Sequence, residues 1–201
     1  MDQQHMNRIA GILLAAGKGS RFAPDGARNK LLQMLPGGDT VVAAAARNLR
    51  AALPYVLAVI RSGDHAMASV LGALDCTISE CPTAEQGMGV SLVHGLTQAR
   101  DAGGWVIALA DMPHVQPATI TALVNAIAQG ADIAVPVCRG RRGNPVAFSR
   151  VHLPQLLQLG GDQGARSLLK TCAVTEVPVE DDGIFRDIDT PDDLDCSIAS
   201  A

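Results

Sequence analysis

Gly17, Lys18, Gly19 and Arg21 fall in the run Leu13-Leu14-Ala15-Ala16-Gly17-Lys18-Gly19-Ser20-Arg21-Phe22, and Lys30 follows in Asn29-Lys30-Leu31-Leu32. The glycines let backbone N–H groups come close to an anion, while Lys18, Arg21 and Lys30 supply cationic donors for phosphate oxygens. This chemistry suits a nucleoside triphosphate; an ordinary tight strand-to-helix turn is the competing reading. Two better known phosphate signatures are excluded. A Walker A loop needs Gly-x-x-x-x-Gly-Lys-Ser/Thr, whereas Lys18 lies between two glycines and Ser20 is followed by Arg21. The dinucleotide fingerprint fails because Phe22 holds the third glycine position, and the next apolar run ends in Arg61-Ser62-Gly63 with no carboxylate for a ribose.

Two carboxylates are candidate metal ligands. Asp111 closes the apolar run Val106-Ile107-Ala108-Leu109-Ala110 and precedes Met112-Pro113, which puts it at the mouth of a sheet, beside the first loop, where it could hold Mg²⁺. Its alternative role, capping a helix that opens at Pro117, is weakened by the intervening residues. Asp189 is a second candidate, although Asp187, Asp189, Asp192 and Asp193 crowd together and some of them must be capping or solvated. Glu85-Gln86-Gly87-Met88-Gly89-Val90-Ser91-Leu92 offers a further glycine turn opening a helix, with Gln86 and Ser91 able to bond a base edge; a plain helix start is the alternative. His5, His65, His94, His114 and His152 do not cluster, and only His114 lies near Asp111. No Gly-x-Ser-x-Gly elbow occurs, so the candidates are cations, a metal and backbone amides.

These residues need a frame. Apolar β-prone runs at residues 9–15, 55–60, 76–79, 105–110 and 133–137 alternate with helical segments at 43–53, 89–100 and 117–128. Such alternation predicts parallel strands with crossover helices and a ligand site at the carboxyl ends of the strands. After Val137 a basic glycine turn, Arg139-Gly140-Arg141-Arg142-Gly143-Asn144-Pro145, and a strand at 146–148 predict a hairpin arm. Short helices are expected at 151–159 and 163–170, and a final one after Thr190-Pro191-Asp192-Asp193, which reads as an N-cap with Pro at N1 and a carboxylate at N3.

The 201 residues fit a single domain, and no repeat or linker interrupts them. Apolar residues are 48% of the chain, yet it holds only one Trp, one Tyr and three Phe, so the core must be layered Ala, Val, Leu and Ile. A net charge of −4 with no block of like charge excludes a nucleic-acid-binding surface. No apolar run approaches the ~20 residues of a membrane span, and residues 1–7 contain no signal-peptide core. The five cysteines (Cys76, Cys81, Cys138, Cys172, Cys196) show no Cys-x-x-Cys and no zinc-ligand spacing. Reduced thiols in a soluble, cytoplasmic protein are expected.

Taken together, the segments resemble the molybdenum cofactor cytidylyltransferase family, the MobA-like nucleotidyltransferases. The resemblance rests on Leu14-Ala15-Ala16-Gly17 with Arg21 and Asn29-Lys30-Leu31-Leu32; on Gln86 to Leu92; on Leu109-Ala110-Asp111-Met112-Pro113; on Arg142-Gly143-Asn144-Pro145-Val146; on Gly161-Asp162-Gln163-Gly164-Ala165-Arg166; and on Asp187-Ile188-Asp189-Thr190-Pro191. It implies a Rossmann-like three-layer αβα fold, with CMP moved from CTP to the phosphate of molybdopterin and pyrophosphate released. Lys30, Arg21 and Asp111 would be catalytic, with Asp111 and Asp189 on Mg²⁺. Leu14, Ala15, Ala16, Gly17, Lys18, Gly19, Gln86, Gly87, Met88, Gly89 and Ser91 would face the nucleotide. Arg142, Asn144, Pro145, Asp162 and Arg166 would face the acceptor. Ala16 marks CTP over GTP, since related guanylyltransferases carry Leu-Ala-Gly-Gly there. The segment from Phe22 to Arg28 departs from the family, whose members have a shorter loop containing a methionine and a glycine. The rival readings are transfer to another phosphorylated metabolite and a non-catalytic carrier serving a molybdoenzyme apoprotein.

Overall fold

The computed structural model describes residues 9–17, 19, 22 and 29–194, so Lys18, Arg21, Arg28, His5 and Cys196 lie outside the described residues. The β-branched and leucine-rich runs form β1 (Ile9–Leu14), β2 (Val56–Arg61), β3 (Thr77–Cys81), β4 (Gly104–Leu109) and β5 (Ile133–Cys138). Between them lie α1 (Val41–Ala52), α2 (His65–Gly72), α3 (Met88–Gln98) and α4 (Pro117–Ala128). The expected strands and helices agree with these to within two residues, apart from α2, a short helix whose start is fixed by Asp64 accepting from the Met67 amide at 3.0 Å. Thr40 caps α1 in the same way, accepting from the Ala43 amide at 3.3 Å.

The chain then completes an eight-stranded sheet with β6 (Arg141–Arg142), β7 (Val146–Ser149) and β8 (Thr175–Pro178). Its order is β3-β2-β1-β4-β7-β5-β6, with β8 also paired to β5. Strands β3, β2, β1 and β4 are mutually parallel, as the crossover helices require. The hairpin expectation needs a correction. β5 does turn back into β6, through Arg139 and Gly140 at φ +51° and +74°, the left-handed pair that a two-residue hairpin turn demands. The strand at 146–149 is no part of an arm: it inserts between β4 and β5, antiparallel to both, because its Val146, Ala147 and Phe148 are as apolar as a central strand needs.

Side chains alternate across the sheet and build two cores. Leu13, Ala58, Val106, Ala134 and Ala147 pack under α1, α2 and α4. Ile12, Leu57, Val59, Trp105, Ile107, Val135 and Phe148 pack on the other face with α3 and α5 (Leu153–Leu156). Gly95 lets α3 lie close to the strands, since a Cβ there would stand 2.7 Å from a Val59 methyl. The helix expected over 151–159 is instead a 3₁₀ turn, Arg150–His152, running into α5, and that expected over 163–170 is the 3₁₀ helix Ala165–Lys170. The gap between them is Gly160-Gly161, which opposes helix continuation. After Thr190 the described chain ends in a 3₁₀ turn, Pro191–Leu194. No helix among the described residues is long and apolar enough to cross a membrane.

Candidate functional site

The carboxyl ends of β1 and β4 are locked side by side, with the Ala110 amide donating to the Leu14 carbonyl at 3.1 Å. From this edge the glycine loop leaves β1. Phe22, only 4% exposed, anchors the loop in the first core. Gly19 sits at φ +60°, a region that favours glycine, with the Lys30 stem 3.5 Å from where a Cβ would stand. Ala15 and Ala16 are buried, and the guanidinium of Arg61, at the end of β2, donates to the Ala16 carbonyl at 3.0 Å.

Lys30 opens a 3₁₀ turn, Lys30–Leu32, whose cap is Asn29 accepting from the Leu31 amide at 3.0 Å. Its ammonium donates to Asp111 Oδ2 at 2.8 Å and to Asp189 Oδ1 at 3.1 Å. Burial opposes the charge on Lys30, but the Asp111 and Asp189 carboxylates outweigh it and hold its pKa above the ordinary lysine value. Asp189 is brought there by two ties. The Ile188 amide donates to the Asp111 carbonyl at 2.8 Å, and Asp193 accepts from the Asp189 and Thr190 amides and from the Thr190 hydroxyl. Those three donors, the Thr190 groups first, hold the Asp193 carboxyl below the usual range. The expected capping pattern is thus present at Asp193, although Thr190 donates to it.

The three ionised groups carry one surplus negative charge, and Asp111 Oδ1 is buried without a hydrogen-bond partner among the described residues. Two carboxylates and an unengaged hard oxygen fit a divalent cation that completes its shell with water and substrate phosphates. No group of three or more His, Cys, Asp or Glu among the described residues is arranged to hold a metal by itself. Asp111 does not cap α4. Asp181 does: its Oδ2 accepts from the Gln116 amide at 2.9 Å and the Thr119 hydroxyl at 2.7 Å.

A cleft of about 980 Å³ runs from this centre across the sheet edge. Leu14, Met88, Asp111, Asp189, Arg142, Asn144, Asp162 and Arg166 all line it, so residues expected to face nucleotide and acceptor share one cavity. Gly87, Gly89 and Ser91 support it from behind. Gly87, at φ +125°, has no room for a side chain, as a Cβ would come within 2.3 Å of the Gly161 carbonyl, and the Gly89 amide donates to Gly161 at 2.8 Å. Ser91 is buried, while Gln86 is exposed off the lining. Pro145, after a cis peptide bond, lines a separate cavity of about 10 Å³. His114, half-buried and close to the Arg186 charge, has its pKa lowered, first by burial, so it adds no cation to the site.

The sequence reading missed Arg61, Asp181 and the cleft residues Arg141, Lys170, Phe185 and Asp187. Arg141 and Asp187 stood in runs already singled out, the basic glycine turn and the carboxylate-rich segment, without a site role being given to them, and Phe185 is one of only three phenylalanines. For Asp181, whose partners on α4 lie 62 and 65 positions away, no local pattern exists.

A family model described as the MobA-like NTP transferase domain matches residues 11–177. The purine catabolism protein PucB of Bacillus subtilis is 34% identical over 200 residues, covering 93% of this chain and 94% of its own length. Among solved structures, Rv0371c of Mycobacterium tuberculosis in complex with manganese is 26% identical with a TM-score of 0.73, covering 93% of this chain and 96% of that one. Molybdopterin-guanine dinucleotide biosynthesis protein A from Archaeoglobus fulgidus shares the fold at 23% identity and a TM-score of 0.66, with 92% and 95% of the two chains covered.

Proposed function

This chain belongs to the MobA-like NTP transferase family, and from that membership we propose that it transfers CMP from CTP to the phosphate of molybdopterin, releasing pyrophosphate, in the cytoplasm. The observation that carries the reading is the Lys30 ammonium held between Asp111 and Asp189 at the sheet edge.

The terminal phosphate of the acceptor, a monoester with a second pKa of about 6, is already ionised at neutral pH. Its oxygen attacks the α-phosphorus of CTP, the bond to the β-phosphate oxygen breaks in line, and pyrophosphate leaves. No general base is needed, which suits a cleft whose nearby histidine is neutral. The task is to bring two anions together and to stabilise the charge that gathers on the leaving group. Lys30 does the second on the triphosphate, with the backbone amides of Gly17 and Gly19. Asp111 and Asp189 would hold Mg²⁺, which when bound supplies further charge neutralisation on the triphosphate. Arg142 and Arg166 offer cations to the acceptor's phosphate.

Pyrophosphate release from each of the four nucleotides, with and without molybdopterin and with other phosphorylated metabolites, tests the reading. CTP with molybdopterin should turn over fastest. Turnover only with another acceptor would keep nucleotidyl transfer and remove molybdopterin. Nucleotide binding without turnover for any acceptor would make the chain a carrier.

A further inference from the structure

Among the described residues, Phe185 is the single aromatic on the cleft lining. The other described aromatics are elsewhere: Phe22, Trp105 and Phe148 are core, and Tyr55 lines a separate cavity at the opposite end of the strands. Over the Phe185 ring lies the guanidinium of Arg141, its central carbon 4.6 Å from the ring centroid. Arg141 lines the cleft as well. The two form a cation–aromatic pair, both members of which line the cavity.

The pair is held from both sides before any ligand arrives. Phe185 ends a 3₁₀ turn, Asp182–Phe185, that Asp181 anchors: this carboxylate, 2% exposed, accepts from the Gly183 amide at 2.9 Å as well as from the α4 donors. Arg141 sits in the β5–β6 hairpin, which is tied to the same segment. Arg139 pairs with Asp182 at 2.7 Å, and just beyond β6 the Asn144 amide donates to the Ile184 carbonyl at 3.0 Å; Arg142 pairs with Glu176 of β8 at 2.8 Å. A planar surface fixed in this way binds a planar ligand with little ordering cost. Stacking needs a conjugated face and no particular hydrogen-bond pattern, so it separates flat heterocycles from sugars.

We infer that Arg141 and Phe185 form a stacking wall that receives the planar, conjugated pyrimidinone ring of the acceptor's heterocycle and so selects a heterocyclic phosphate over a sugar phosphate. The inference rests on the proposed function. The wall positions the acceptor and takes no part in bond making. Arg142, Arg166 and Lys170, on the same lining, supply charge to the acceptor's anionic groups.

Two variants and two readouts test it. With CTP and molybdopterin, Phe185→Leu should raise the KM for molybdopterin roughly tenfold, the scale of losing one aromatic stacking partner, leaving kcat and the KM for CTP near their wild-type values. Phe185→Tyr should restore the KM, and Arg141→Gln, on an exposed hairpin, should raise it without touching the core. Independently, the fluorescence of free pterin should be quenched on titration with wild type and with Phe185→Tyr, and much less with Phe185→Leu. An unchanged molybdopterin KM in both Phe185→Leu and Arg141→Gln, with wild type active, overturns the wall and leaves the transfer reaction standing. A rise in the KM for CTP instead would place the base at this pair and equally overturn it. If wild type shows no transfer to molybdopterin at all, the proposed function fails, and the pterin titration alone decides whether the wall binds a flat ring.

Discussion

At one end of the cleft Lys30, Asp111 and Asp189 meet with side chains 11%, 24% and 27% exposed; at the other, Arg139 and Arg142 pair with Asp182 and Glu176 while all four side chains are 46% to 78% exposed. The distances are alike, from 2.7 to 3.1 Å, but the energetics are not. Exposed pairs contribute about 0–1 kcal/mol because water screens them and long side chains lose freedom in making them. In a half-dry centre the same contacts are stronger, and removing one member leaves the others uncompensated. Charge at the first end is therefore fixed in place, whereas at the second end the ion pairs are weak enough for Arg142 to exchange Glu176 for another anion.

The largest effect should come from Lys30→Ala, with turnover down roughly 10²-fold or more, the scale for losing one preorganised stabiliser of developing charge. The variant should keep its far-ultraviolet circular dichroism; wild-type-like turnover would dissolve the contrast between the two ends. Asp111→Asn keeps the shape and removes a hard anionic ligand. Disturbing even the outer shell of a metal site costs about 10- to 100-fold, so activity should fall at least that far, and added Mg²⁺ should recover it only in part. Full activity with an unchanged Mg²⁺ requirement would reduce Asp111 to a structural partner of Lys30.

A smaller effect is expected for Ala16→Gly, measured as the ratio of CTP to GTP turnover. A methyl-sized change in packing discriminates by about 1–3 kcal/mol, so the glycine should narrow the preference for CTP. Better use of GTP by wild type would refute cytidylyl specificity. The site should also mark the stability of the fold at high pH. Since the pKa of Lys30 is raised on folding, its contribution is complete below the ordinary value of 10.5 and is lost as pH rises through the higher folded value. In urea titrations the stability gap between wild type and Lys30→Met should stay level up to that pH and shrink above it; a gap that grew with pH would mean the ammonium is not favoured there. The smallest change belongs to Arg142→Ala, within about 1 kcal/mol of wild-type stability. A larger loss would show that the exposed end, too, depends on its ion pairs.

Which parts of this molecule could be read ahead depended on range. Apolar periodicity and the Gly-rich exit from β1 announced the parallel half of the sheet, because a strand followed by its crossover helix is a local pattern. Asp111 was readable for the same reason, as a carboxylate ending an apolar strand. Two things were not. The residues 146–149 looked like the return of a hairpin, and nothing nearby says that they enter between β4 and β5, since that place is set by partners about 40 and 13 positions earlier. The cap on α4 was equally hidden, its carboxylate being far along the chain at Asp181. The glycine turn opening α3 at Gly87 was legible, but its support by Gly161 was not, as two glycine segments in backbone contact leave no side-chain signature.

Lys30 lies 81 positions from Asp111 and 159 from Asp189. During synthesis the ammonium is therefore made early, meets its first carboxylate midway and lacks the second until residue 189 has been added and has docked through Ile188. The strands that frame the centre, β1 and β4, both precede this segment, so a chain that stops short of it lacks one of the three charges. The centre is thus completed in two steps of very different range, Asp111 first and Asp189 second.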